Sequence, residues 1–219
     1  MIDNNIKKII IDSFEEKCLL VLIDGYFLSV SEKKCNCEWK EKTFSSHLVK
    51  HMKNSSLALK YGMVITKEDE LDDIEIDDGL KDPDKANPID ISIHQIYEYK
   101  VFKYCVEAKN ISFSNWIKSN GKKVSGWQQK KDYISEGVDR FILGHYMNQN
   151  GCMVAYVVNG NIFKVLKAIN EKLIQLKRNS EKIIKFKKLN GFSLYESKHS
   201  NRKLKHLFFD FTIKNSVRD

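Results

Sequence analysis

Residues 87–110, NPIDISIHQIYEYKVFKYCVEAKN, alternate apolar and polar side chains through two successive runs, the pattern of a pair of strands. Each run carries an acid, Asp90 in the first and Glu107 in the second, and Lys109 stands two places beyond Glu107. A carboxylate in an apolar strand is costly to desolvate unless it is paired, hydrogen-bonded or bound to a metal. Residues two apart share a strand face. Glu107 and Lys109 therefore lie with Lys103 and Cys105, opposite Phe102, Tyr104, Val106 and Ala108. In the first run Ile89, Ile91 and Ile93 are expected on one face, and Asp90, Ser92 and His94 on the other. A hairpin turning on Glu98 and Tyr99 then sets Asp90 directly across from Glu107.

Two carboxylates and an ammonium on one patch suit a divalent ion held by hard oxygen ligands, which relieves the repulsion between like charges. Such an ion polarises a phosphate oxygen and lowers the pKa of a bound water. Lys109 can orient that water and stabilise negative charge growing on the phosphoryl group. The patch is thus an arrangement for phosphodiester hydrolysis. The competing reading is an edge hairpin with solvated acids and a salt bridge.

On either side of this segment the pattern is that of an α/β protein. Residues 3–28 read as a helix followed by a short apolar strand or a second helix, and 29–56 as polar with a short helix around FSSHLVKHM. Residues 68–84 hold ten acids and one lysine, with Gly79 and Pro83 as turn formers, and read as a solvated loop. After an irregular connection at 111–123, residues 125–143 carry an approximate helical face of Trp127, Ile134, Val138, Phe141 and Ile142. GCMVAYVVNG reads as a buried strand, with Cys152 as a packed small hydrophobe. The segment 162–178 spaces Ile162, Leu166, Ile169, Leu173 and Leu176 three and four apart, a strongly amphipathic helix. KLKHLFFDFTI reads as a closing strand, in which His206 is expected to be a satisfied structural histidine. The expected fold is α/β, a mixed β-sheet flanked by helices.

With 219 residues, 42% hydrophobic and 30% charged, the chain is expected to fold around one substantial core. It shows neither a secretory signal pattern nor 18 uncharged apolar residues in a row, so a cytoplasmic protein without a membrane partner is expected. Five cysteines, an odd number, predict reduced thiols. Net charge is +8, and residues 161–219 hold fifteen Lys/Arg against five acids, which favours a polyanionic partner.

Two stretches resemble motifs of the PD-(D/E)xK nuclease superfamily. NPIDISI looks like the first motif, with Asp90 in the aspartate role, and YCVEAKN like the second, with Glu107 and Lys109 in the acidic and lysine roles. WQQKKDYI matches the Q-x-x-x-Y feature of the RecB-like branch through Gln129 and Tyr133, which share a helix face and are expected to turn toward the metal centre or the bound strand. The resemblance implies a restriction endonuclease-like core, acids at the ends of adjacent strands, and the Ala108 carbonyl as a further metal ligand. It also implies Mg2+, with Mn2+ as substitute, and DNA as substrate. A glutamate from an N-terminal helix often joins such sites, and Glu15 or Glu16 is the candidate. The chain departs from the motif where Ile89 separates Pro88 from Asp90.

The resemblance covers roughly residues 85–160. It divides the chain into an N-terminal helical region of unassigned role at 1–70, an acidic loop at 71–87 and a nuclease-like core at 88–219. The function expected is a metal-dependent endonuclease, in restriction or anti-phage defence. The alternative is a noncatalytic nucleic-acid-binding or regulatory subunit on the same fold. Lys198, His199, Arg202 and Lys203 form a basic run suited to phosphate contact. A protein partner or a second copy would use the N-terminal region or the helix at 162–178. Cys35, Cys37, His47 and His51 offer zinc ligand types, but C-x-C is tighter than structural zinc spacing, and they read as scattered surface or core residues.

Overall fold

The alternation at 89–109 produces the expected hairpin: β2 (Ile89–Tyr97) pairs antiparallel with β3 (Lys100–Ser112), from Tyr97↔Lys100 to Ile91↔Val106. Glu98 and Tyr99 form its two-residue turn with φ of 45° and 65°, the left-handed pair that matches the twist of the flanking strands. The computed structural model describes residues 4–69, 88–143, 146 and 150–212, so the acidic segment beyond Asp69 lies outside the described residues.

Around this hairpin stands a seven-stranded mixed sheet in the order β1-β2-β3-β6-β9-β8-β7. β1 (Met63–Asp69) edges β2, while β3, β6 (Gly151–Asn159) and β9 (Lys203–Asp210) run parallel to one another. β8 (Phe192–Lys198) and β7 (Ile184–Leu189) complete it antiparallel. β6 is buried along nearly its whole length, as a central parallel strand with both faces covered must be. A small hairpin of β4 (Trp116–Ile117) and β5 (Lys123–Val124) fills the connection after β3. The sequence pattern showed β2, β3, β6 and β9 but not β1, β7 or β8.

α1 (Asn4–Ser31), α2 (Glu41–Lys53) and α3 (Ser56–Lys60) cover one face. α1 is a single helix through CLLVLIDGYF, where a strand or second helix was an alternative, and buries Phe14, Cys18 and Leu22. Phe44, Leu48 and Met52 of α2 join it over Ile91, Tyr104 and Val106. α1 and α2 touch at Gly25, where a Cβ would sit 2.5 Å from Met52 Cγ. α4 (Gly126–Tyr133), a π turn at Ile134–Val138, α5 (Asp139–Ile142) and α6 (Ile162–Gln175) cover the other face. Tyr133, Phe141, Val165 and Phe208 pack there. All five cysteines are free thiols, and no helix among the described residues is long and apolar enough to cross a membrane.

Candidate active site

The ladder between β2 and β3 stops at Ile91↔Val106, one pair short of Asp90 and Glu107. Ile89 packs with the α4–α6 side while Ile91 and Ile93 pack with the α1–α2 side. The expectation that all three isoleucines share a face is thus corrected, because the strand loses its regular alternation where it leaves its partner. Backbone groups of β3 that the ladder no longer satisfies are taken up by carboxylates. Asp90 Oδ2 accepts from Ala108 N–H at 2.8 Å, and Glu41 Oε2 accepts from Asn110 N–H at 3.1 Å. In a strand a residue's N–H and C=O point to the same side, so the Ala108 carbonyl lies along the same edge, between these two carboxylates.

Glu107 is fully buried. Its Oε1 receives Lys109 Nζ at 2.6 Å and Arg140 of α5 at 2.8 Å, while its Oε2 is buried with no hydrogen-bond partner. Burial, then the Asp90 charge, push the Glu107 carboxyl up to about 7 against the opposing pull of Lys109 and Arg140. Lys109 also reaches Glu41 Oε1 at 3.3 Å. Burial draws its pKa down, but Glu107, Glu41 and Asp90 outweigh burial and hold it above the ordinary lysine range. Glu41 is raised by burial, an effect that Lys109 offsets only in part and Asp90 reinforces. Within the π turn Gly137 lets the covering helix come down on the sheet, since a Cβ there would run into the Met153 side chain, with Lys109 Cγ next at 3.8 Å. Such turns concentrate at functional sites.

Asp90, the orphaned Glu107 Oε2, Glu41 and the Ala108 carbonyl are oxygen donors, the ligand type that a hard divalent cation takes, but the three carboxylates do not bring ligand atoms within 4.8 Å of one another.

The glutamate contributed by a helix is Glu41, in the first turn of α2. Neither Glu15 nor Glu16 reaches the site: Glu15 accepts from the Tyr104 hydroxyl at 3.2 Å and Glu16 pairs with Lys187 at 2.6 Å. The available signal was an acid opening the run Phe44, Leu48, Met52, an acidic first turn before an apolar period of 3.6. Tyr133 does not turn toward the metal-fitting groups. It is buried on the far side of its helix, its hydroxyl 2.8 Å from His206 Nδ1, because a long aromatic there completes the core between α4 and β9. Gln129 lines a groove of about 440 Å3 with Asn110, Trp116, Lys118, Lys122 and Lys123, and its Oε1 is buried without a partner.

The basic run before β9 divides. Lys198 and Lys203 are exposed. The His199 imidazole is enclosed, at hydrogen-bond distance from Glu181 and Ser197, and Arg202 donates to the carbonyls of Phe141 and Tyr146. The expectation that all four reach phosphates is corrected for these two, since the His199 ring and one guanidinium nitrogen of Arg202 are engaged within the fold. No protein-family model, no curated protein and no solved structure matches this chain at a significant level.

Proposed function

We propose that the chain is a divalent-metal-dependent nuclease with a restriction endonuclease-like core, hydrolysing DNA phosphodiester bonds. The observation that carries the reading is the point where β2 parts from β3. There Lys109 Nζ bonds Glu107 and Glu41, while Asp90 holds the Ala108 N–H on the same edge. The mixed sheet flanked by helices supports the resemblance of 85–160 to the PD-(D/E)xK superfamily, with Asp90 near the start of β2 and Glu107 inside β3.

In this reading Asp90, Glu107 Oε2, Glu41 and the Ala108 carbonyl hold Mg2+, which when bound polarises the scissile phosphate and acidifies a water. Glu107 divides its work, one oxygen tied to cations and the other kept for the ion. Lys109, kept protonated by three carboxylates, points its ammonium at the same place and stabilises charge that grows on the phosphoryl oxygens. Arg140 fixes the Glu107 rotamer. Lys122 and Lys123, exposed beside the groove at Asn110, give a nucleic-acid backbone its approach.

Lys109→Ala leaves every oxygen donor in place and removes the ammonium. Cleavage of linear, circular, nicked and single-stranded DNA is expected with Mg2+ or Mn2+ and not with Ca2+. Lys109→Ala is expected to be slower by about a hundredfold or more, with Mg2+ affinity retained, whereas Asp90→Ala loses Mg2+ binding itself. A folded Lys109→Ala protein that cuts as fast as the parent at saturating Mg2+ overturns the assignment. Binding of DNA without cleavage under any of these metals returns the chain to the noncatalytic binding module.

A further inference from the structure

The end of α1 and one side of α2 assemble three groups that the Asp90 site does not use. His47 and His51 lie four apart on α2 and share a helix face, with ring centroids 4.6 Å apart at 77°. Glu32, immediately after α1, places Oε1 3.5 Å from His51 Nε2. One ligand atom from each of the three lies within 4.8 Å of the others. Nε2 of both histidines and Glu32 Oε2 are buried without a hydrogen-bond partner, and His51 is only 6% exposed. Buried polar atoms left this way are uncommon, and three in one small cluster point to a ligand.

We propose that Glu32, His47 and His51 form a second metal site, selective for Zn2+ and similar borderline ions, with water completing the shell. Two imidazole nitrogens and one carboxylate suit such an ion and are poor partners for Mg2+, which prefers oxygen. Tetrahedral Zn2+ with bonds near 2 Å sets ligand atoms about 3.3 Å apart, so the separations present need only a small rotamer adjustment. Lys50 Nζ lies 3.1 Å from Glu32 Oε1 and Lys34 Nζ 3.5 Å from Oε2. Both are long, exposed side chains that can swing into solvent when an ion arrives. Trp39 buttresses His47, ring to ring at 5.2 Å.

The cysteines of the C-x-C pair stand outside this set. Cys35 Sγ is directed at the Ser29 carbonyl at 3.5 Å, and Cys37 lines the groove beside Asn110. Six and ten residues along α2 from Glu41, the histidines sit about 9 and 15 Å from it along the helix. A bound ion would therefore clamp α2 to the end of α1 without touching the oxygen site.

Titration of the metal-stripped full chain with Co2+, followed by its visible absorption and then by Zn2+ competition, tests this. With excess Mg2+ present to occupy the oxygen site, one equivalent is expected to bind with no thiolate charge-transfer band. His47→Gln, which keeps a polar side chain of similar length at this partly buried position, is expected to lower Zn2+ affinity at least tenfold in a folded protein, and His51→Gln likewise. Cys35→Ser, Cys37→Ser and Asp90→Ala should leave Zn2+ affinity unchanged. Equal affinity in parent and His47→Gln overturns the proposal, as does loss of Zn2+ binding in Cys35→Ser, Cys37→Ser or Asp90→Ala.

Discussion

Glu107 concentrates the tension of the candidate site in one side chain. Alternation alone made it visible, because an acid among Val106, Ala108 and Tyr104 has to be compensated. Its compensation by Lys109 followed from the same alternation; that by Arg140, thirty-three residues on, did not. With its carboxyl at about 7 rather than the usual 4.5, the metal-free protein holds a proton on Glu107 in the window between those values. On the proposed reading, Mg2+ binding there would displace that proton. Mg2+ affinity is therefore expected to rise with pH until about 7, with close to one proton released per ion below it. Calorimetric titrations in two buffers of different ionisation heat measure that release, and an affinity independent of pH from 5 to 7 would contradict it.

The β2–β3 hairpin shows an element that the chain specifies imperfectly. Its register was readable from the apolar pattern, yet the turn places two ordinary residues, Glu98 and Tyr99, at positive φ. Left-handed backbone costs an L-residue about 1–2 kcal/mol, and Tyr99 is fully exposed, with no packing to lose. Glu98→Asn with Tyr99→Gly is expected to stabilise the fold by about 1 kcal/mol, raising Tm by about 2–4 °C and leaving cleavage unchanged, since the turn is at the opposite end of the hairpin from Asp90. A lowered Tm would show that the turn is held by contacts other than its own backbone preference. β1 escaped the sequence reading because its alternation runs straight into the acids at Glu68 and Asp69. β7 and β8 escaped because lysines and polar residues dominate strands at or near a sheet edge.

A chain of polar contacts loops from Tyr133 through β8, β9 and the 179–181 turn back to Asp139. Tyr133 meets His206, His206 meets Ser197, Ser197 meets His199, His199 meets Glu181, and Arg178 joins Glu181 to Asp139. Burial, with the His199 and Lys205 charges adding to it, lowers His206 to about 3. The unfolded chain takes up a proton near 6.5, before the folded one does, so stability is expected to fall as pH drops from 6.5 toward 3. His51 and His199, both lowered by burial, act in the same sense. Each proton contributes a slope of up to about 1.4 kcal/mol per pH unit. Denaturant melts between pH 6.5 and 5 measure this when the parent is compared with His206→Gln, so that the opposing proton uptake by Glu107 is common to both. Equal slopes in the two proteins would mean that His206 is solvated.

Local patterning was enough for the mixed α/β class, the hairpin register and the pairing of Glu107 with Lys109, because strand alternation and helical periodicity are short-range consequences of burying one face. Long-range packing settled what alternation cannot carry. It chose Glu41 over Glu15 and Glu16, since the helix whose first turn abuts the free edge of β3 depends on how α1 and α2 dock at Gly25. It turned Tyr133 into the core and enclosed His199, since burial depends on what packs above a residue rather than on its neighbours in the chain. It also parted β2 from β3 at Asp90: a strand continues only while its partner offers hydrogen bonds, and here carboxylate side chains satisfy the edge in the backbone's place.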